Sequence, residues 1–386
     1  MAIDGQPQAP RHWPRLAAGL TLVALATVPS AEGPPAVPHL APTAPAQSQQ
    51  PSTPGAAGTG PSDTAPSAAG TPQPAVPASP PPPAAAPTAS AAAAAVTVST
   101  SAELAAALEA AQPGQTIQLK DGGYTGKFVA AASGTAAAPI TLTGSRAAVL
   151  SAGSLTSGYG LHITGSFWHI SGLSVANSAK GIVLDGSAHT VLNRIDVGGT
   201  GSEAVHFRAN STDCTIEDSD IHDTGLAKPG FGEGIYVGSA KSNWKSVMGS
   251  ATTPDRSDRV LIRGNRISRT SAEGIDIKEG TTGGTVSGNT FAGAGVSGAN
   301  SADSWVDVKG NGYTVSGNSG STTKLDALQV HNVLDGWGRD NVFAGNTVLG
   351  GVPGHEVWIQ SAGEGNSVRC RPSAAGLGLT NIPCTP

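Results

Sequence analysis

"AEGIDIKEG" occupies residues 272–280, and "DSWVDVKGN" follows at 303–311. Each stretch sets an aspartate and a lysine two positions apart, between branched apolar residues. Such alternation marks an extended strand, in which successive side chains point to opposite faces. In this reading Ile275 and Ile277 turn one way, while Glu273, Asp276 and Lys278 turn the other. The frame recurs in "EAVHFR" (203–208), "EGIYVG" (233–238), "SWVDVK" (304–309), "DALQVH" (326–331) and "HEVWIQ" (355–360).

Between these phrases a second one repeats. Gly-Asn stands at 264–265, 288–289, 317–318, 345–346 and 365–366, in steps of 24, 29, 28 and 20 residues. A period of that size denotes stacked units, because one short unit cannot bury its own apolar face. The strands are too short, and too rich in Gly and Asn turns, for a helical solenoid. Asn tolerates left-handed turn geometry and can stack in ladders, which suits a repeated corner. A β-sandwich or jelly roll is the alternative, and it calls for Asn-Gly or Asp-Gly hairpins between paired runs; no such series is present.

The ends of the chain read differently. Residues 1–31 look like a secretory signal: Arg11, His12 and Arg15 precede an apolar run, Leu16–Val28, of 13 residues, too short to span a bilayer. Residues 32–95 are nearly all Ala, Pro, Ser, Thr, Gly and Gln, a composition that cannot bury enough apolar surface to fold and that suits an extended tether. Folded material is expected from 96 to 386, as one domain. The predicted location is extracellular, with the tether able to hold the domain at a cell wall. Net charge is −5, which argues against nucleic acid as the partner of the whole chain. In an exported chain Cys370 and Cys384 are expected to pair, with Cys214 left as a buried thiol.

The segment "VTVSTSAELAAALEAAQPGQTIQLKDGGYTG" (96–126) is similar to the opening of the pectin-lyase-like right-handed parallel β-helix family, where a strand and a short helix precede a Pro-Gly strand. Ser101 reads as the N-cap, with Leu104, Leu108 and Ala111 as the apolar stripe. The resemblance covers about residues 96–370. It implies an all-β, single-stranded right-handed solenoid whose open end is covered by that helix.

Stacking the phrases at about 4.8 Å per coil produces three outward columns. Glu203, Glu233, Glu273, Ser304 and Asp326 form the first. His206, Tyr236, Asp276, Asp307 and Gln329 form the second. Arg208, Gly238, Lys278, Lys309 and His331 form the third. Asp276 then lies against Asp307 and Lys278 against Lys309, an arrangement that costs stability unless diagonal pairs or a bound group offset it. Stacked carboxylates suit Ca²⁺, and stacked lysines should lower each other's pKa, which favours one as a base. These are the parts that β-elimination from a uronic acid polymer needs.

The chondroitinase B and alginate lyase group of β-helix enzymes places a metal-binding Glu five residues before its base Lys, and Glu273 and Lys278 resemble that pair. Lys309 stands where that group carries a basic proton donor on the next coil. Ser271 stands where it carries a second metal-binding Glu. With the signal-like start, the resemblance points to a secreted polysaccharide lyase acting on an acidic polysaccharide, and the chain is expected to be a monomer. Lys278 and Lys309 would be catalytic, and Glu273, Asp276 and Asp307 would hold Ca²⁺. Arg208, His206, Tyr236, His331 and Trp244 would bind substrate, Trp244 by stacking from the loop 240–258. Two alternatives stay open. One is a glycoside hydrolase using Asp276 and Asp307 as paired carboxylates. The other is a non-catalytic carbohydrate-binding or surface protein.

Overall fold

The computed structural model describes residues 95–386, so the signal and tether expectations lie outside the described residues. Three parallel sheets of eleven, nine and nine strands stack along one solenoid, and every strand pair is parallel. The parallel strands exclude the sandwich. The first sheet runs from Val96–Val98 to Ser367–Val368, the second from Gly122–Thr125 to Thr347–Gly350. The third, called here the cleft sheet, runs from Val129–Ala130 to Val357–Ile359.

The alternation read from the sequence sets the register. Ile235, Ile275, Val306 and Leu328 stack in one buried row, and Val237, Ile277, Val308 and Val330 in the next. A slip of one residue would drive the charged row into this core, so the register is fixed by burial. Tyr236, Asp276, Asp307 and Gln329 stack on the outer side, as the columns require.

The corners are built from the Gly-Asn phrase, with a division of labour that the sequence reading blurred. Gly264, Gly288, Gly317 and Gly345 carry the positive φ, at 63–66°. The asparagines behind them are buried in a ladder. The Asn265 side-chain amide donates to Asn289 Oδ1, Asn289 to Asn318, and Asn318 to Asn346, each at 3.0 Å. Each Oδ1 also accepts a backbone N–H from the coil before it. Gly365-Asn366 belongs to a different corner, where Asn366 accepts from Asn341 N.

A helix, Ser101–Glu109, buries Leu104 and Leu108 against the first coil. Its N-cap is Thr100 rather than Ser101. Thr100 is extended, its hydroxyl accepts from Glu103 N, and the Glu103 carboxylate accepts from Thr100 N and Ser99 N, a complete capping box. Cys370 and Cys384 form the expected disulfide, and Cys214 is a buried free thiol.

The loop 240–258 leaves the solenoid between two coils that are tied on their far sides by four arginine–carboxylate rungs: Arg259–Asp213, Arg263–Glu217, Arg266–Asp220 and Arg269–Asp223. The loop is seated from within. The Asp255 carboxylate accepts from the backbone N–H of Ala209 and Asn210 and from the hydroxyls of Ser239 and Ser257.

Candidate active site

A cleft of about 610 Å³ lies over the cleft sheet, from the strand Lys180–Asp185 to the strand Ile275–Ile277. Glu203, His206, Arg208, Glu233, Tyr236 and Lys278 form its floor, because the outward positions of successive coils face the same side. One wall is the 240–258 loop, through Asn243 and Val247. The other is the segment around Lys228 and Phe231, braced where Asn300 donates to the Gly230 carbonyl.

Four of the predicted residues therefore meet: Arg208, His206, Tyr236 and Lys278. Arg208 is held in a fork on Asp185, through Nε at 2.5 Å and Nη2 at 3.0 Å. His206 is almost fully buried within the floor, with Nδ1 3.0 Å from Glu203 and Nε2 2.8 Å from the Gly238 carbonyl. Both partners are acceptors, so a proton must sit between Nδ1 and Glu203. Lys180 pairs with the same carboxylate. Tyr236 meets His206 edge-on at 4.4 Å, and the Lys278 ammonium stands over its ring at 5.0 Å. Burial, then the charges of Asp276 and Glu233, push the Tyr236 phenol well up, so it keeps its proton.

The stacked charges are resolved by ion pairs that run both along each strand and across to the next coil. Lys278 Nζ donates to Asp276 Oδ2 at 2.6 Å. Lys309 Nζ donates to Asp276 Oδ1 at 2.8 Å and to Asp307 Oδ2 at 2.5 Å, and His331 Nδ1 meets Asp307 Oδ1 at 2.8 Å. The result is a buried zigzag of alternating sign, with Asp276 only 2% and Asp307 only 3% exposed. This reverses the expected effect on the lysines. Burial opposes their charge, but the Asp276 carboxylate beside both outweighs it, and both pKa values rise. Burial also works against the Asp307 charge, yet Lys309 and His331 hold it well below the ordinary carboxylate range.

The zigzag decides three further points. Lys309 and His331 belong to it and do not line the cleft. The oxygens of Asp276 and Asp307 already face cations of the chain, so Glu273, Asp276 and Asp307 do not fit as a calcium cage. The same engagement leaves the hydrolase reading without a free carboxylate pair. One acidic cluster does approach the cleft: carboxylate oxygens of Glu233, Glu273 and Asp276 lie within 4.8 Å of one another. Burial, then the neighbouring Asp276 and Glu203, push the Glu233 carboxyl up to about 8. Glu273 rises as well, mainly by burial and then by Asp276.

Trp244 does not stack on the cleft. It is buried beneath the loop, and its indole N–H donates to the Ser239 carbonyl at 2.8 Å, so it anchors the wall instead of forming it. The aromatic residue that does reach the cleft from a wall is Phe231, 57% exposed. Sequence reasoning missed it, because a lone Phe between glycines carries no periodic signal. It also missed Lys180 and Asp185, although "KGIVLD" (180–185) shares the strand frame one coil before "EAVHFR". Among the described residues no helix is long and apolar enough to cross a membrane.

A crystal structure of alginate lyase from Paenibacillus sp. str. FPU-7 matches the chain at 39% identity and a TM-score of 0.68, over 75% of this chain and 99% of that one. The GH136 lacto-N-biosidase from Eubacterium ramulus matches at 12% identity and a TM-score of 0.52, over 72% of this chain and 60% of that one, a likeness of fold alone. Pectate lyase Pel9A matches at 16% identity with a TM-score of 0.42, over 73% and 75% of the two chains. No curated protein sequence matches the chain. The sequence profile described as "Pel9A-like, right handed beta helix region" matches residues 84–350. With that match over most of its length, and with the coil stack it describes, the chain belongs to the Pel9A-like right-handed β-helix family.

Proposed function

We propose that the protein is a secreted polysaccharide lyase that cleaves a uronate polymer, alginate foremost, by β-elimination over Tyr236 and Lys278. The observation that carries this reading is the cleft floor. A phenol that keeps its proton and an amine linked to a buried carboxylate stand side by side, in a cleft bordered by Lys180, Arg208 and Lys228. The 39% identity to an alginate lyase supports the substrate class. The signal-like start and the Pro/Ala-rich tether support secretion.

Elimination removes the C5 proton, forms the C4–C5 double bond and breaks the C4–O bond. Lys278, once its own proton has been lost to solvent, takes the C5 proton, and its 2.6 Å contact with Asp276 holds the amine in place. The Tyr236 hydroxyl gives its proton to the departing C4 oxygen. Arg208 and Lys180 offset the charge that develops on the uronate carboxylate, a role that does not call on calcium. Lys309 acts at a distance by holding Asp276 in place. Because Lys278 starts protonated, kcat/KM should climb as pH rises above neutral.

The test is to incubate the purified protein with alginate and pectate, with and without EDTA, and record ultraviolet absorbance together with new reducing ends. Absorbance should rise with alginate in EDTA, and Lys278→Ala should cut the rate about 10²–10⁴-fold. Tyr236→Phe should do the same. Reducing ends without absorbance would mean hydrolysis. Intact polymer with salt-sensitive binding would mean a recognition module.

A further inference from the structure

The cleft sheet carries a second cavity, of about 520 Å³, toward its N-terminal end. Lys127, Ala152, Ser157, Tyr159 and His162 border it. Tyr159 begins the strand Tyr159–Ile163, three strands before that of Tyr236, an axial rise of about 14 Å at the coil spacing; in register His162, three residues on, is the residue that stacks in the Tyr236 column. A 1,4-linked uronate advances by roughly one coil spacing per unit, so a chain reacting over Tyr236 would lay its third neighbour here.

Tyr159 is fixed in place. Its hydroxyl accepts from Arg208 Nη2 at 3.2 Å, and its ring meets His162 edge-on at 5.3 Å. His162 Nε2 lies 2.8 Å from Asp185, the carboxylate that also holds Arg208. One hydrogen-bonded chain, Arg208–Asp185–His162, thus joins the floor of the reacting cleft to the wall of this cavity. Lys127 also borders the cavity, exposed and without an ion pair among the described residues. A fixed aromatic ring beside a free ammonium is the pairing that recognises a sugar acid: the ring covers the apolar face and the ammonium meets the carboxylate.

We propose that this cavity is a distal subsite of the same polymer groove. Tyr159 stacks on one uronate ring and Lys127 pairs with its carboxylate, so that long chains bind better than short ones. The proposal rests on the uronate substrate class inferred above.

The test is calorimetric binding of alginate trimers and heptamers to the full-length Lys278→Ala protein, which retains both subsite residues. The heptamer should bind at least tenfold more tightly than the trimer. Adding Tyr159→Ala should weaken heptamer binding about 2- to 12-fold and leave the trimer unchanged. Tyr159→Phe should keep the affinity, which separates the ring from its hydroxyl and from Arg208. Lys127→Ala, on an exposed side chain that does not endanger folding, should weaken the heptamer and flatten its salt dependence. If Tyr159→Ala and Lys127→Ala both leave heptamer affinity intact, or if trimer and heptamer weaken equally, the subsite is refuted; so too if neither oligomer binds. Binding in the expected pattern, with no absorbance from the wild-type protein, would sustain the subsite and sink the elimination chemistry.

Discussion

Replacing Asp276 by Asn tests whether the stacked charges are held by their ion pairs. Asp276 is 2% exposed and accepts from two ammonium groups, at 2.6 Å and 2.8 Å. At an effective dielectric constant of ~20, each contact is worth about 6 kcal/mol of gross attraction. Desolvation cancels much of that, and removing one member of a buried pair costs about 3–5 kcal/mol net. Asp276→Asn strips Lys278 of its ion-pair partner and leaves two buried ammoniums stacked, so the upper part of that range is expected. For a domain of this size the midpoint should fall by on the order of 10 °C. Thermal and urea unfolding of the wild type, Asp276→Asn and Asp276→Asn/Lys309→Met measures it. Deleting Lys309 relieves the uncompensated repulsion, so the double variant should recover part of the loss. A single variant within about 1 kcal/mol of wild type, or a double variant less stable than Asp276→Asn, would show that the zigzag does not hold this face.

Two further outcomes follow from other parts of the structure. The Glu233 carboxyl titrates near 8 when folded and in the ordinary carboxylate range when unfolded, so the native state binds the extra proton between those values. The contribution of this group to stability is therefore full below the ordinary carboxylate range and is lost as pH rises toward 8, by at most about 1.4 kcal/mol per unit. Glu233→Gln should flatten the slope between pH 5 and 8, and an unchanged slope would remove the raised carboxyl from the account. In the corner ladder, Asn318→Ala deprives Asn289 of its acceptor and leaves two neighbouring coils with unmet donors and acceptors, a loss of about 1–3 kcal/mol for each unsatisfied group. Denaturant unfolding should show that loss, whereas Asn366→Ala, on the other corner, should leave the ladder intact.

The fold was legible because its cause is local and repeated. Apolar residues at alternate positions must face a common core, and six phrases in one frame leave little besides a stack of parallel coils. The register of Asp276 on Asp307 follows from that constraint alone. The corner glycines were legible for the same reason, whereas the fifth Gly-Asn misled. A dipeptide does not say which corner it turns, and Asn366 pairs with Asn341 instead of extending the ladder.

The site was legible only as far as it lies on the strands. Arg208, Tyr236 and Lys278 could be placed by counting, since the columns are a property of the pleat. What the pleat cannot give is how long side chains bend between rungs. Columns drawn from backbone positions put Asp on Asp and Lys on Lys, which suggested a missing cation and depressed lysine pKa values. The side chains instead cross diagonally, and the Lys309 ammonium lies between two aspartates of different coils. Once the oxygens are counted, the cation that the columns call for is already present in the chain, as Lys278, Lys309 and His331. The loops resisted counting for another reason. Trp244 turns inward because its indole N–H finds the Ser239 carbonyl, while Phe231 is left exposed at the rim. No periodicity governs either choice; each depends on which backbone carbonyl or wall segment the tertiary structure happens to bring within reach.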